Sequence, residues 1–225
     1  MCIRDRYRVL TYVDGVPYSA QFRFESVEQG LEDAGFSLTT KAWMDTYDTQ
    51  VETARMGYFG ELQQEMAAKG MAAVMKIFTE PFVEPAISGV SQKEIDAMKA
   101  DLAIYVLSRN SGEGKDRRAE KGDYYLSDRE LQNIRFMTEN YSNCVVLLNT
   151  GGVIDLTELR KISGVQAILL TGQTGNMGGH AVADVLMAKT VPSGKLTDTW
   201  ARSYDDYPSS RTFSYRDDNL DDEYY

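Results

Sequence analysis

The 225-residue chain has one histidine, two cysteines and a deficit of basic side chains, and each scarcity removes a class of function. His180 has no second histidine and no cysteine nearby to share a ligand set, so neither a metal centre nor a Ser-His relay is expected and the residue reads as structural. Cys2 and Cys144 form no ligand pair and no disulfide framework; Cys144 opens an apolar run and reads as a small hydrophobe. Lys and Arg number 24 against 34 Asp and Glu, a formal charge of −10, which repels a phosphate backbone and argues against a nucleic-acid partner. No stretch approaches the roughly 18 apolar residues of a membrane span, so no membrane partner is expected. The start lacks the charged-then-apolar pattern of a secretory signal. Met1-Cys2-Ile3-Arg4-Asp5-Arg6 reads as a translated adapter, so the natural start is expected to lie elsewhere, and localisation, cytoplasmic or secreted, stays open.

What is present is 43% hydrophobic content in an order that alternates helical and strand signals from Ser26 onward. This predicts an α/β fold: a mostly parallel sheet of about five or six strands with helices on both faces, a flavodoxin-like sandwich. Ser26 to Gly35 has the serine start and glycine stop of a helix, and Phe36–Thr40 reads as a strand. Val51 to Lys69 reads as a helix interrupted or frayed around Gly57 and Gly60, with Met56, Phe59, Leu62, Met66 and Ala67 at near-helical intervals and the methionines as core fillers. Ser91-Gln92-Lys93-Glu94 and Ser127-Asp128-Arg129-Glu130 are capping boxes heading two further helices, the second with Leu131, Ile134 and Met137 on its apolar face. Apolar strands are expected at 103–108, 144–149 and 166–171, the third as buried as the others. A short helix around 155–162, a helix from Ala181 to Met187 and a last strand at Leu196–Trp200 complete the pattern.

Arg109-Asn110-Ser111-Gly112-Glu113-Gly114-Lys115-Asp116-Arg117 follows the first of these strands, and α/β proteins do their chemistry in such loops. Glycines on both sides of Glu113 remove bulk and let a ligand approach its carboxyl. Right-handed crossovers place this loop, Gly151-Gly152 and the 172–179 loop on one rim of the sheet. Nucleotide motifs fail. Gly172-Gln173-Thr174-Gly175-Asn176-Met177-Gly178 does not space its glycines as a dinucleotide fingerprint does, and Gly194-Lys195 has Lys189 where a phosphate loop needs glycine and Leu196 where it needs Ser or Thr. No cofactor is expected.

Ser111 to Arg117 with Lys121-Gly122-Asp123 and Leu126-Ser127-Asp128, then Val145 to Asn149, Gly172-Gln173 with Gly175 and Gly179, Ala183 to Leu186 and Pro192 to Leu196, resembles the carboxy-terminal α/β sandwich domain of family 3 glycoside hydrolases. The likeness covers residues 26–202, with residues 1–25 unassigned and 203–225 an acidic, aromatic tail or linker toward a further module. It implies a retaining, exo-acting β-glycosidase, with a β-glucosidase as the expected activity, on a carbohydrate substrate such as a β-glucoside or short oligosaccharide. It also implies a partner, a (β/α)-barrel domain that carries the nucleophilic aspartate, while this domain gives the general acid/base, here Glu113. Asp116 and Arg117 are candidates for contacts with sugar hydroxyls, or ion pairs that fix the loop. A barrel of about 250 residues does not fit in this chain as well, so the fragment alone is expected to be inactive. Two departures mark the match: Tyr12 to Tyr18 stands where relatives carry a Gly/Ser-rich loop, and Asn176-Met177 replaces an acidic or small pair. The competing reading is a non-catalytic carbohydrate- or small-ligand-binding module in which Glu113 only hydrogen-bonds.

Overall fold

The computed structural model describes residues 12–13, 16–17, 26–70, 73, 76, 80, 82, 85, 91–109, 118–175 and 177–211. The chain divides into two compact units, one of Met1–Leu38 with Ala100–Tyr225 and the other of Thr39–Lys99. In order, the elements are β1 (Tyr12–Val13), β2 (Val16–Pro17), α1 (Val27–Asp33), α2 (Lys41–Lys69), α3 (Gln92–Ala97), β3 (Ala103–Arg109), α4 (Asp128–Asn140), β4 (Cys144–Thr150), β5 (Val165–Leu170) and α5 (Gly178–Leu186).

The larger unit is built on a parallel sheet in the order β3-β4-β5, with β1 and β2 as a separate antiparallel pair. Seven register pairs, from Ala103↔Cys144 to Arg109↔Thr150, join β3 to β4. Both strands are almost wholly buried, which explains their continuous apolar sequence. The β4–β5 ladder shifts register at Cys144/Val145, where Val165 and Ala167 pair and Gln166 is left over. Its side chain replaces the lost ladder bonds: Gln166 Oε1 accepts from the Cys144 N–H and Nε2 donates to Ser142 O. Helix α4 packs on β3. Its capping box forms as the sequence predicts, and Leu131, Ile134 and Met137 are buried. Cys144, the first residue of β4, is buried too, and that burial pushes its thiol above the usual pKa, the inert behaviour expected of a small hydrophobe.

Helix α1 starts at the Ser26 cap and ends in a Schellman motif, with Phe36 N–H donating to Leu31 O and Gly35 N–H to Glu32 O. Gly35 takes φ +93°, which only glycine adopts freely. Helix α1 packs on α5, and the contact is backbone to backbone. A Cβ on Gly30 would lie 2.0 Å from the Gly179 carbonyl carbon, and one on Gly179 would lie 2.2 Å from Ser26 O. His180, the next residue, has its Nε2 3.7 Å from Asp33 Oδ2.

Several expectations are corrected. Phe36–Thr40 is not a strand: its ends are consumed by the α1 terminus and by the Thr40 carbonyl that opens α2, and no described strand pairs with it. Leu196–Trp200 is not a strand either. Its backbone bonds to a side chain instead, since the Tyr207 hydroxyl donates to Thr199 O and accepts from the Ala201 N–H. Among the described residues the parallel sheet has three strands, β3, β4 and β5. Strand β5 is mostly exposed, with Ile168 and Leu170 open to solvent, because among the described residues it pairs only with β4. The helix expected around 155–162 reduces to one 3-10 turn, Leu159–Lys161, and α5 begins three residues early, at Gly178.

In the smaller unit α2 runs unbroken for 29 residues through Gly57 and Gly60, both of which face open space. Its buried residues are Met44, Val51 and Leu62, whereas Met56, Phe59 and Met66 are exposed and fill no core. Of the residues spaced along the expected apolar face only Leu62 is buried, and the half-buried Arg55 and Tyr58 continue the inward stripe, Arg55 lying over the Phe82 ring and Tyr58 donating to Glu80 O. Helix α3 carries its own complete capping box at Ser91 and Glu94, and Thr39 Oγ1 donates to Met98 O just beyond it.

The glycines thus make opposite forecasts. Gly30→Ala or Gly179→Ala forces backbones apart and should cost about 3 kcal/mol. Gly57→Ala and Gly60→Ala should instead stabilise by roughly 0.5–1 kcal/mol each. Denaturant unfolding of the four variants checks the contrast, and a neutral Gly179→Ala would refute the close helix approach.

Candidate active site

The carboxyl ends of β3, β4 and β5 lie at one edge of the larger unit, as parallel pairing requires, and the loops that follow β4 and β5 gather there. After β4, Thr150 Oγ1 donates to Gly152 O, which tightens the Gly151-Gly152 turn. After β5, the Thr171 and Gly172 N–H groups both donate to Leu148 O, and Gly172 and Gly175 take φ +63° and +70°. Residues 195–198 and Trp200 border the same space. Together they line a cleft of about 190 Å³ with Thr150, Gly151, Gly152, Leu170, Gly172, Lys195, Asp198 and Trp200 on its walls. Asp198 accepts from Thr197 Oγ1 at 2.7 Å. These walls offer a half-buried aromatic ring, a cation, a carboxylate and exposed backbone, groups suited to holding a polar ligand.

The loop after β3 holds the candidate site residues that the sequence points to. Glu113, Asp116 and Arg117, with Lys115 and the flanking glycines, lie outside the described residues, as does Asn176. The stems of that loop are described, and they hold what the sequence reading missed. Arg109, the last residue of β3, is only 7% exposed although it carries a full charge. Its Nη1 and Nη2 donate to Glu130 Oε1 and Oε2 at 2.6 and 2.9 Å, a bidentate pair, Nη1 also reaches Ser108 O, and Nε donates to Asp123 O at 2.8 Å. Glu130 is also the N3 residue of the α4 capping box, and its Oε2 accepts from the Ser127 N–H and Oγ. Asp123 in turn accepts from the Arg118 N–H through Oδ2 at 2.8 Å. The turn containing Asp123 is set by Gly122 at φ +90° and by the Gly122 N–H to Tyr125 O bond. Next to it Tyr124 is buried, edge-on to Tyr125 and Tyr204, and burial followed by its neighbour Tyr207 raises its phenol pKa.

The signal for this cluster was an arginine at the end of an otherwise apolar strand. A guanidinium there must find a carboxylate, because an unpaired buried charge is not tolerated. Glu130 was identified only as a helix cap. Among the described residues no group of three or more His, Cys, Asp and Glu could hold a metal ion. No described helix is long and apolar enough to cross a membrane.

Burial should separate the two ion pairs of this region. Glu130→Ala strands the Arg109 charge and should cost about 3–5 kcal/mol. Lys121→Ala breaks only the exposed 2.7 Å pair with Asp128 and should cost under about 0.5 kcal/mol. Equal losses on thermal unfolding would show that the Arg109 pair is not the anchor described.

Comparison with known proteins places this geometry. Residues 15–225 match the family model described as the Glycosyl hydrolase family 3 C-terminal domain. The chain is 37% identical over 147 residues to Beta-glucosidase A of Butyrivibrio fibrisolvens, covering 56% of this chain and 18% of that protein. It is 38% identical over 121 residues to a beta-glucosidase of Ruminococcus albus, covering 54% of this chain and 13% of that one. The solved structure of beta-glucosidase 3B from Thermotoga neapolitana in complex with glucose superposes with a TM-score of 0.66 at 29% identity, over 92% of this chain and 27% of that one. The chain therefore spans less than a fifth of these two curated relatives and about a quarter of the solved one.

Proposed function

This chain belongs to glycosyl hydrolase family 3 as its C-terminal domain, and on that premise we propose that it is the acid/base-supplying part of a retaining, exo-acting β-glycosidase acting on β-glucosides. The observation that carries the reading is the family match across residues 15–225 together with the Ser111-Gly112-Glu113-Gly114 motif immediately after β3, whose last residue stands at the carboxyl edge of the sheet. Three relatives that are beta-glucosidases favour a terminal β-linked glucose as the substrate class. In the whole domain the sheet extends to five or six strands with helices on both faces.

The chemistry divides between two carboxyl groups about 5–5.5 Å apart. An aspartate of a (β/α)-barrel, borne by the rest of the enzyme, attacks the anomeric carbon, and the bond to the leaving oxygen breaks. Glu113 delivers its proton to that oxygen, so the aglycone departs as a neutral alcohol. The Glu113 carboxylate then takes a proton from water, whose oxygen displaces the aspartate and releases the sugar with its original configuration. Before the first step Glu113 must be protonated near neutral pH, which desolvation and the neighbouring aspartate charge accomplish once the domains meet. Asp116 and Arg117 bind sugar hydroxyls or brace the loop.

In the full-length gene product Glu113→Gln should lower kcat/KM on a phenyl β-glucoside by about 10²–10⁴-fold. It should also abolish the fall in rate on the alkaline side, because that limb is the loss of the donor's proton. This chain alone should not turn the substrate over. An unchanged mutant rate, or turnover by residues 1–225 by themselves, contradicts the proposal.

A further inference from the structure

The cleft beside the carboxyl ends of β4 and β5 is lined by two side chains of opposite charge that do not meet. Lys195 and Asp198 stand three residues apart in the chain and border the same space, yet among the described residues Lys195 pairs with no carboxylate. At the same spacing elsewhere the pair closes, Lys161 on Glu158 at 2.6 Å and Lys99 on Asp96 at 3.3 Å. Asp198 is engaged through Oδ2 by Thr197 Oγ1, which leaves Oδ1 open. The cleft wall therefore keeps a cationic donor and an anionic acceptor unspent.

Trp200 forms a further part of the wall, and its place is fixed by hydrogen bonds. The Tyr207 hydroxyl donates to Thr199 O at 3.0 Å and accepts from the Ala201 N–H at 2.9 Å, so it holds the backbone on both sides of the indole. Tyr207 is anchored in turn. The preceding turn is closed by the Ser203 N–H bond to Asp206 Oδ2, Tyr204 lies edge-on to the buried Tyr124, and Arg202 O accepts from Thr157 Oγ1. Residues 191–199 are all exposed, so these bonds rather than burial set where the ring sits.

We propose that this cleft binds one neutral pyranose ring, which lies against Trp200 while its hydroxyls accept from Lys195 and donate to Asp198. The ligand class comes from the family to which the chain belongs and from the chemistry of the wall, and it does not depend on the role of Glu113. Each sugar hydroxyl both donates and accepts, so one ring satisfies an ammonium and a carboxylate together, and its C–H face suits an indole. A simple anion meets the like charge of Asp198 and a simple cation that of Lys195. The volume of about 190 Å³ equals roughly six waters and falls below the roughly 300–1,000 Å³ of drug-sized pockets, which suits a single ring and not an oligosaccharide. For roughly a dozen non-hydrogen atoms at ordinary ligand efficiency, Kd should be on the order of 1 mM.

Trp200 is its own reporter. The chain has two tryptophans, so Trp43→Phe leaves Trp200 alone. Titrating that variant with methyl β-glucoside should change its emission saturably, with Kd on the order of 1 mM. Lys195→Ala and Asp198→Ala, both at exposed positions where truncation leaves the fold intact, should each weaken binding by about 10-fold. Glycine, a zwitterion with both charges and no pyranose face, should not compete. A response that never saturates, an unchanged Kd in both alanine variants, or saturation by glycine in place of the sugar overturns the proposal. Hydrogen exchange on the unsubstituted chain and on the full-length gene product gives a second reading should Trp43→Phe fail to fold. The sugar should slow exchange in peptides covering 150–153 and 195–200, and exchange unchanged in both contradicts the site. Either failure leaves the acid/base reading standing, since the Glu113→Gln kinetics judge that separately.

Discussion

A guanidinium sealed at the end of an apolar strand is the constraint on which the rest of the larger unit depends. Arg109 cannot remain buried without a carboxylate, and Glu130 is presented to it as the third residue of α4, where the Ser127 cap holds it. That requirement fixes helix, strand and the 118–125 turn in one arrangement, because the third donor of the same side chain holds Asp123. The fork is oriented by geometry as much as by charge: two parallel N–H bonds to one carboxylate leave Nε a single direction in which to point.

The second constraint is steric. Gly30 and Gly179 bring α1 and α5 to backbone contact, and Gly178 has no room for a Cβ beside Thr174 Oγ1, so the glycine-rich loop after β5 enters its helix along one path. The same loop takes positive φ at Gly172 and Gly175 and passes over the Leu148 carbonyl. Rigid backbone at the edge of the sheet is what a catalytic loop needs for support, and the cleft between Gly151-Gly152 and Trp200 opens on that edge.

Strands β3 and β4 were legible in the sequence because a parallel strand covered on both sides must be apolar throughout, and both capping boxes were legible because they are local. Strand β5 was legible as a strand but not in its exposure, since Ala167 to Leu170 has the same composition whether or not a neighbour covers it. Leu196–Trp200 misled because its residues favour strands while its hydrogen bonds go to Tyr207, a partner no local pattern reveals. In α2 the methionines drew attention to the solvent face, whereas the inward stripe mixes Val51 and Leu62 with Arg55 and Tyr58. Of the site, the rim formed by Gly151-Gly152 and the 172–175 loop followed from strand topology. The Arg109–Glu130–Asp123 cluster did not, because its members are up to 21 residues apart and each has an ordinary local role.

The central claim is that Glu113 transfers the proton in a retaining reaction, and its most direct measurement is nucleophile rescue. In the full-length enzyme carrying Glu113→Ala, azide needs no general base and no longer meets the carboxylate's charge, so it should take the place of water at the glycosyl-enzyme. The account predicts that azide accelerates turnover of 2,4-dinitrophenyl β-glucoside and that the product is β-glucosyl azide. No acceleration, or a product of α configuration, would contradict it.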